Sequence, residues 1–333
     1  MGLQHDARLM TKVARLYHEM GLTQPKIASR LHLSQSSVSR LLRRAQRENI
    51  VRISVTPPRG THTDLEEALQ ETYGLQEAVV VDSPEAGDPL IRELGAAAAY
   101  YLESTTGTGA VIGLSSWSAA LLAMVAAIHP VRTVSGTRVV QLTGGVGNPA
   151  TEGLGGQLTR RLSELIHGDP VFLPAPGIAD SLESKSVLMR SDYVVEALHQ
   201  IDDVTVAFVG IGGIVSTSLR PASGRRFAPG EFEEVTGAGA VGDICLRYFD
   251  AHGRAIASSV DDRIIGIELD QLRRIPRTVA VAGGVEKLAA IRGALRGRLI
   301  NVLVTDARTA ESLLLPPSDG DENRSATSRP LRT

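Results

Sequence analysis

The sequence predicts an α/β protein in which an N-terminal all-α helix-turn-helix domain precedes a Rossmann-like domain. Three observations support this fold class: two short helical patterns joined by a tight turn, seven apolar runs that alternate with helical segments, and a change of charge between the two regions. Apolar strands separated by helices indicate a mostly parallel sheet covered on both faces. A chain of 333 residues exceeds one typical core, so we expect a small and a large domain.

The helix-turn-helix prediction rests on residues 23–47, TQPKIASRLHLSQSSVSRLLRRAQR. Thr23 and Ser34 are hydroxyl residues that stand where an N-cap is expected, each directly before a short helical pattern. Residues 32–34 form the turn between the two patterns. An apolar stripe within residues 7–20 predicts a further helix that packs behind these two.

The second helix of this unit is expected to present a polar and basic face opposite its apolar residues. Its predicted DNA-binding residues are Gln35, Ser36, Ser37, Ser39, Arg40, Arg43 and Arg44. Short hydrogen-bonding side chains come first and arginines follow, which suits a helix that reads base edges with its N-terminus and binds phosphates farther along. The arginines alone would fit a solvated basic face equally well. The two capped helices and the tight turn favour DNA binding, so double-stranded operator DNA is the expected partner.

The charge distribution agrees with this interpretation. Residues 1–56 hold ten Lys/Arg and three Asp/Glu, a net charge of +7, whereas the whole chain has −2 and the remainder therefore −9. A basic head supplies the salt-dependent part of DNA affinity, and an acidic body avoids nucleic acid. We expect residues 1–56 to form the helix-turn-helix domain.

The next segment, residues 57–76, is expected to be a linker helix. Pro57, Pro58 and Gly60 interrupt regular structure just after a short alternating run at 50–55, a possible strand or wing. Leu65, Leu69 and Tyr73 then recur on one side of a helical pattern. That stripe fits a dimerisation or docking face, and a purely solvated linker fits nearly as well.

Residues 77–315 are expected to form the α/β domain, and residues 316–333, which have almost nothing to bury, a disordered tail. The seven apolar runs are 77–82, 109–114, 137–144, 169–174, 204–212, 278–283 and 299–306. No apolar run approaches the roughly 18 residues of a membrane span, and the polar N-terminal residues show no signal-peptide hydrophobic region. With Cys245 as the single cysteine, an internal disulfide is excluded, and we expect a cytoplasmic protein without a thiol-bound metal.

Ligands of parallel α/β sheets bind outside the carboxyl ends of the strands. The loops expected there are rich in glycine and hydroxyl residues: GLSSWS at 113–118, TGGVGN at 143–148, GIGG at 210–213 and AGGVEK at 282–287. Small residues allow backbone amides to approach an anion, and Lys287 stands where it could reach a phosphate. Any one such loop is as readily a flexible turn. Several at one sheet edge predict a small-molecule pocket.

Other chemistries find little support. The glycine loops lack the P-loop and dinucleotide-binding patterns, GLSSWS is not a nucleophile elbow, and the eight histidines show no metal-ligand spacing. We therefore expect no cofactor, no metal and no catalytic residues. Asp180 and Asp243 are possible bases, whereas Asp261 and Asp262 are expected in a solvated turn.

Five ordered segments, residues 22–42, 139–147, 209–213, 239–253 and 275–306, carry a family resemblance. Over residues 10–315 the chain resembles the SorC family of bacterial sugar-responsive transcriptional regulators, also labelled DeoR-like. The resemblance implies a helix-turn-helix followed by an effector domain similar to sugar-phosphate isomerases. It also implies a homodimer or homotetramer, and a sugar, polyol or sugar phosphate as effector.

Carried over by position, the resemblance implies an effector pocket in the glycine-rich loops. Its residues are Ser116, Trp117, Ser118, Ala119, Thr143, Gly144, Gly145, Gly147, Asp243, Gly283, Gly284 and Lys287. The first loop reads SSWSAA, where many members have Trp-Gly-Ser/Arg-Thr. This difference favours an unphosphorylated effector, whereas Lys287 favours a phosphorylated one. The alternative function is a sugar-phosphate isomerase or deaminase carrying a DNA-binding head, for which no acid/base pair stands out.

Overall fold

The computed structural model describes residues 2–48, 50–51, 61–82, 86–116, 118–129, 136–145, 152–214 and 230–316, with side chains omitted at 2–6 and 152–155. The chain divides into two compact units, Met1–Pro58 and Arg59–Thr333. The expected strand at 50–55 and the expected tail at 316–333 lie almost entirely outside the described residues.

The first unit consists of three helices, α1 (Gly2–His18), α2 (Gln24–Leu31) and α3 (Gln35–Arg47). Its core is formed by Val13, Leu16, Ile27, Ala28, Val38 and Leu42. The Oγ of Ser34 accepts a hydrogen bond from the Ser37 amide at 3.1 Å, as the predicted N-cap requires. Thr23 makes no side-chain cap hydrogen bond, and Pro25 removes one of the two amides that such a cap would use.

The second unit is built on a seven-stranded parallel sheet, and all seven predicted apolar runs contribute a strand. The strands of this sheet are β1 (Glu77–Val81), β2 (Val111–Leu114), β3 (Arg138–Gln141), β4 (Asp169–Val171), β5 (Val206–Val209), β9 (Arg277–Val281) and β10 (Val302–Asp306). Their spatial order is β1-β10-β9-β5-β2-β3-β4. The predicted parallel α/β fold is thus confirmed.

Helices cover both faces of this sheet. The described helices are α4 (Thr63–Tyr73), α5 (Asp88–Thr105), α6 (Ala119–Ala127), α7 (Glu152–Ile166), α8 (Leu182–Leu188), α9 (Asp192–Asp202), α10 (Glu231–Gly237), α11 (Leu269–Arg274), α12 (Leu288–Arg296) and α13 (Ala307–Leu314). Helices α5, α6 and α7 share a core with one face of the sheet. Helices α4, α12 and α13 share a core with the other face. None of the helices in the described ranges has the length and apolarity needed to span a bilayer.

Helix α4, the expected linker helix, packs within the second unit. Leu69 is fully buried, and the Tyr73 hydroxyl donates to the Leu313 carbonyl at 2.7 Å. Glu66 accepts the Val80 amide at 2.9 Å, which satisfies a donor of the edge strand β1. The apolar stripe of α4 is therefore a docking face that the unit's own core already covers.

A three-stranded antiparallel sheet, β6-β7-β8, lies outside the seven predicted strands; it comprises β6 (Gly212–Gly213), β7 (Ala240–Ile244) and β8 (Arg247–Asp250). The hairpin between β7 and β8 turns at Cys245 and Leu246, whose φ angles are 53° and 69°. Such turns usually contain Asn or Gly. Because this turn contains neither Asn nor Gly, the sequence carried no hairpin signal.

Candidate functional site

Helix α3 directs a row of cations away from the core of the first unit. Arg40 and Arg43 are exposed, whereas Val38 and Leu42 on the opposite side are buried. Arg47 is also exposed and lies seven residues after Arg40, on the same side of the helix. Sequence reasoning omitted Arg47, although that spacing would have indicated it.

Polar side chains of α3 hold one another in place. Arg40 donates to Ser37 Oγ at 3.3 Å and Arg43 donates to Ser39 Oγ at 3.2 Å. Arg44 is half-buried and forms an ion pair with Glu48 at 2.6 Å. Of the three predicted phosphate-binding arginines, Arg44 therefore has its charge offset by a neighbouring carboxylate.

In the parallel sheet, the strand order reverses between β2 and β5. Strand β2 pairs with β3 on one side and with β5 on the other, which is the arrangement that places ligands at the carboxyl ends of doubly wound sheets. The Gly210 amide donates to Ser115 Oγ at 3.2 Å, and the Ser115 amide donates to the Phe208 carbonyl at 3.1 Å. The loops after β2 and β5 are thus hydrogen-bonded to each other.

The loop after β3 joins the same group. Ser116 Oγ donates to the Thr143 carbonyl at 3.0 Å, and Gln141 Nε2 donates to that carbonyl at 2.7 Å. All three residues are buried. Sequence reasoning did not identify Gln141, although a polar residue that ends an apolar strand was a usable signal. These contacts fix the loop after β3 against the loop after β2.

Several glycine amides in the loops are occupied by protein acceptors. Gly144 donates to the Ile265 carbonyl at 3.1 Å and Gly145 to the Ala175 carbonyl at 2.9 Å. A Cβ at Gly144 would lie 2.4 Å from the Ala175 oxygen. Close backbone packing therefore explains Gly144, and these two amides are not the anion donors that the glycine pattern suggested.

The loop after β9 is held by Asp306 at the end of β10. The Gly284 amide donates to Asp306 Oδ2 at 2.9 Å, and the Thr309 amide donates to Asp306 Oδ1 at 3.0 Å. A Cβ at Gly283 would lie 2.5 Å from Asp306 Oδ2. Asp306, which is 2% exposed, was missed because a carboxylate after a strand is also a common N-cap.

Lys287 ends the short 3-10 turn Val285–Lys287 directly before α12 and is half-buried. That turn contacts β6, and Gly212 of β6 pairs with Asp243. Asp243 is 2% exposed and accepts the Leu246 amide at 3.3 Å. The structure thus connects the loops after β5 and β9 through β6.

Those predicted effector-binding residues that the structure describes lie at or next to one sheet edge but differ in accessibility. Ser118, Ala119 and Lys287 reach the surface at least in part. Ser116, Thr143, Gly144, Asp243, Gly283 and Gly284 are buried, and Gly145 is half-buried. Trp117 and Gly147 lie outside the described residues.

One expectation needs correction in this region. Asp261 lies in a 3-10 turn, Asp261–Arg263, and was expected to be solvated. Its carboxylate instead accepts from Arg247 at 3.0 Å, and the Arg247 side chain is only 4% exposed. Burial of Arg247 requires an anionic partner, so Asp261 is a structural ion-pair residue.

A three-helix unit with an outward-facing basic helix and an α/β unit with loops at a strand-order reversal together define a DNA-binding transcriptional regulator that carries a ligand-binding domain. Comparison with known proteins agrees. The sugar-binding domain family model matches residues 58–315, and the homeodomain-like domain model matches residues 5–52. The chain belongs to the SorC family of sugar-binding transcriptional regulators.

Relatives of this family cover nearly the whole chain. The deoxyribonucleoside regulator of Bacillus subtilis (strain 168) is 33% identical over 314 residues, which cover 92% of this chain and 97% of that protein. The sorbitol operon regulator of Klebsiella pneumoniae is 31% identical, with coverage of 93% and 98%. The full-length crystal structure of the sorbitol operon regulator SorC from Klebsiella pneumoniae matches with a TM-score of 0.71, 29% identity and coverage of 93% and 100%.

Proposed function

We propose that this regulator binds operator DNA through the outward face of α3 and binds a sugar, polyol or sugar phosphate at the carboxyl edge of its parallel sheet. The observation that carries this proposal is the hydrogen bond between Gly210 and Ser115, which joins two loops at the strand-order reversal. Doubly wound sheets bind their ligands at that position. The relatives named above are regulators of deoxyribonucleoside and sorbitol systems, which supports a small carbohydrate as effector.

Within this site, Lys287 is the group that favours a phosphorylated effector over an unphosphorylated one. It stands at the start of α12, where the amide end of the helix also favours an anion. Ser118 caps α6 by accepting the Leu121 amide at 3.3 Å and is partly accessible. A hydroxyl-bearing ligand fits Ser118, and a phosphate fits Lys287.

The site binds its effector without turning it over. Asp243, one of the two candidate bases beside Asp180, is buried and its carboxylate already accepts a backbone amide. A general base needs a free path to the substrate proton. The relatives are named as transcriptional regulators, in keeping with a binding role.

Regulation follows from a shift between two arrangements of a cytoplasmic homodimer or homotetramer. Two copies of α3 bind two half-sites of an operator, and the spacing of the two helices depends on how the copies assemble. An effector that prefers one arrangement changes operator affinity; a coupling of about 1–3 kcal/mol corresponds to roughly 5- to 150-fold.

The site assignment is tested by calorimetric titration of the full chain with matched pairs of sugars and their phosphates. Lys287→Ala should weaken binding of the phosphorylated compound and leave the unphosphorylated one nearly unchanged. Lys26→Ala, in the first unit, is the control and should alter neither. Equal binding of a sugar phosphate to the Lys287→Ala variant and to the wild type would refute the anion site.

A further inference from the structure

A basic cleft of about 570 Å³ opens where the ends of α4, α12 and α13 meet. Its lining includes Tyr73, Leu295, Leu313 and three arginines, Arg292, Arg296 and Arg298. Helices α12 and α13 both start at the carboxyl edge of the sheet and run back across it. The cleft therefore lies at the opposite edge from the effector loops.

The three arginines of this cleft differ in their partners. Arg292 is 7% exposed and donates to the Ser312 carbonyl at 2.7 Å, which caps the end of α13. Arg296 and Arg298 are exposed. Within the described parts of the chain, the structure gives neither of these two guanidinium groups a hydrogen bond or an ion pair. The cleft thus offers two cations beside an apolar floor.

In the sequence, an acidic segment follows directly after the last residues that line this cleft. Leu315 and Pro316 line the cleft, and the sequence continues Pro317-Ser318-Asp319-Gly320-Asp321-Glu322. Three carboxylates stand within four residues, and every arginine of the tail follows them. From Pro316, three residues reach at most about 11 Å to Asp319 and six reach at most about 22 Å to Glu322. The three carboxylates therefore stay near the cleft, at an effective concentration on the order of millimolar or higher.

We propose that the segment Asp319–Glu322 binds in this cleft of its own chain, with its carboxylates paired to Arg296 and Arg298. Single exposed ion pairs are weak, so the interaction depends on several charges and on the short connection to Pro316. Thr72 and Tyr73 of α4 form part of the same cleft. The bound segment therefore stabilises the contact between α13 and α4, the first described helix of the second unit.

The test uses the full chain with a nitroxide spin label on a Ser325→Cys substitution. Cys245, the chain's single native cysteine, is buried, and the unsubstituted chain serves as the labelling blank. The wild-type background should show a slow component in the electron paramagnetic resonance spectrum. That component should be lost in the Arg296→Glu/Arg298→Glu background, in the Asp319→Lys/Asp321→Lys/Glu322→Lys background, and at high salt.

A chain that carries both the arginine reversals and the carboxylate reversals should recover the slow component. If the single reversals acted by damaging the fold, combining them would not restore it. The matched control is Arg92→Glu/Arg161→Glu, which reverses two exposed arginines on α5 and α7 across the sheet; it should leave the spectrum unchanged. A spectrum with no slow component in the wild-type background, or one insensitive to the cleft reversal, would overturn the proposal.

Discussion

The amide of Gly210 donates a hydrogen bond to the Oγ of Ser115 at 3.2 Å, and this bond joins the loop after β5 to the loop after β2. The two strands lie side by side in the sheet. A Cβ at Gly210 would also lie 2.6 Å from the Oγ of Ser118, the N-cap of α6. The geometry of the proposed effector site therefore depends on the absence of a side chain at Gly210.

Gly210→Ala should disturb the effector site without disturbing DNA recognition. The added methyl group displaces Ser118, and overpacking of this kind costs about 1–3 kcal/mol of stability. If binding must restore the Ser118 geometry, the same energy is lost from effector binding, which corresponds to roughly 5- to 150-fold lower affinity. Titration calorimetry with the effector measures this loss. The control is Gly107→Ala, since a Cβ there meets no atom within 4 Å. Equal effector affinity in both variants would show that Gly210 does not shape the site.

Arg47→Ala should weaken operator binding and lower the dependence of log affinity on log salt concentration by about one, as expected for the loss of a phosphate contact. Arg44→Ala should have a smaller effect, because Arg44 is already paired with Glu48. Fluorescence anisotropy at several salt concentrations compares the two variants. A larger loss for Arg44→Ala than for Arg47→Ala would place the DNA-contacting face elsewhere.

Arg40→Ala should cost about 1–3 kcal/mol of operator binding if Arg40 contacts a base, and the loss should then be greatest for the operator and small for unrelated DNA. Arg40 is exposed beside Ser37. Competition between operator and unrelated duplexes separates a base contact from a phosphate contact. Unchanged affinity for both duplexes would contradict the assignment of this face.

His32→Gly should stabilise the first unit. His32 lies in the turn between α2 and α3 at φ 50°, where an L-residue carries strain of roughly 1–2 kcal/mol that glycine relieves in part after its entropy cost. Hydrogen exchange of α2 and α3 amides should slow by about fivefold for a net gain of about 1 kcal/mol. Gly21→Ala, at φ 63° with open space around its Cβ, should speed exchange. Faster exchange in His32→Gly would contradict this reading of the turn.

The phenol of Tyr101 should titrate well above an ordinary tyrosine. Burial, with a further contribution from the Glu77 carboxylate, raises its pKa from 10.0 to about 12. Because the folded state holds this proton more tightly, its stabilising effect is complete below pH 10 and is lost as the pH rises to about 12. In Tyr101→Phe, the free energy of unfolding should no longer fall between pH 10 and about 12 through this group. Tyr100→Phe, at a 73% exposed position, should keep the wild-type pH dependence. The same dependence of unfolding on alkaline pH in the wild type and in Tyr101→Phe would contradict this role of Tyr101.

Much of the fold was readable from the sequence because parallel strands buried on both faces appear as continuous apolar runs. The seven runs became β1 to β5, β9 and β10. The sheet β6-β7-β8 was missed, because β6 has two residues and the hairpin turns at Cys245 and Leu246 without glycine. Periodicity cannot identify a strand as short as β6, and the turn between β7 and β8 lacks the residues that mark a hairpin.

The sequence placed the candidate site at the carboxyl edge of the sheet only as a set of loops. Sequence patterns did not distinguish a glycine that leaves room for a ligand from one that leaves room for neighbouring backbone. Gly144 is of the second kind. They also did not identify Asp306, which accepts from the Gly284 amide 22 residues away in the chain, or Gln141, which donates to Ser116, 25 residues away. Such roles depend on three-dimensional contacts rather than on local pattern.

The most direct test of the account is fluorescence anisotropy of the full-length protein on DNA from upstream of its own operon, with and without a panel of sugars, polyols and their phosphates. We expect tight, salt-dependent binding whose affinity changes roughly 5- to 150-fold with one compound of the panel. That compound would identify the effector, and the direction of the change would give the sign of regulation. Tight binding that no carbohydrate alters would contradict the central claim that this sheet edge controls operator affinity.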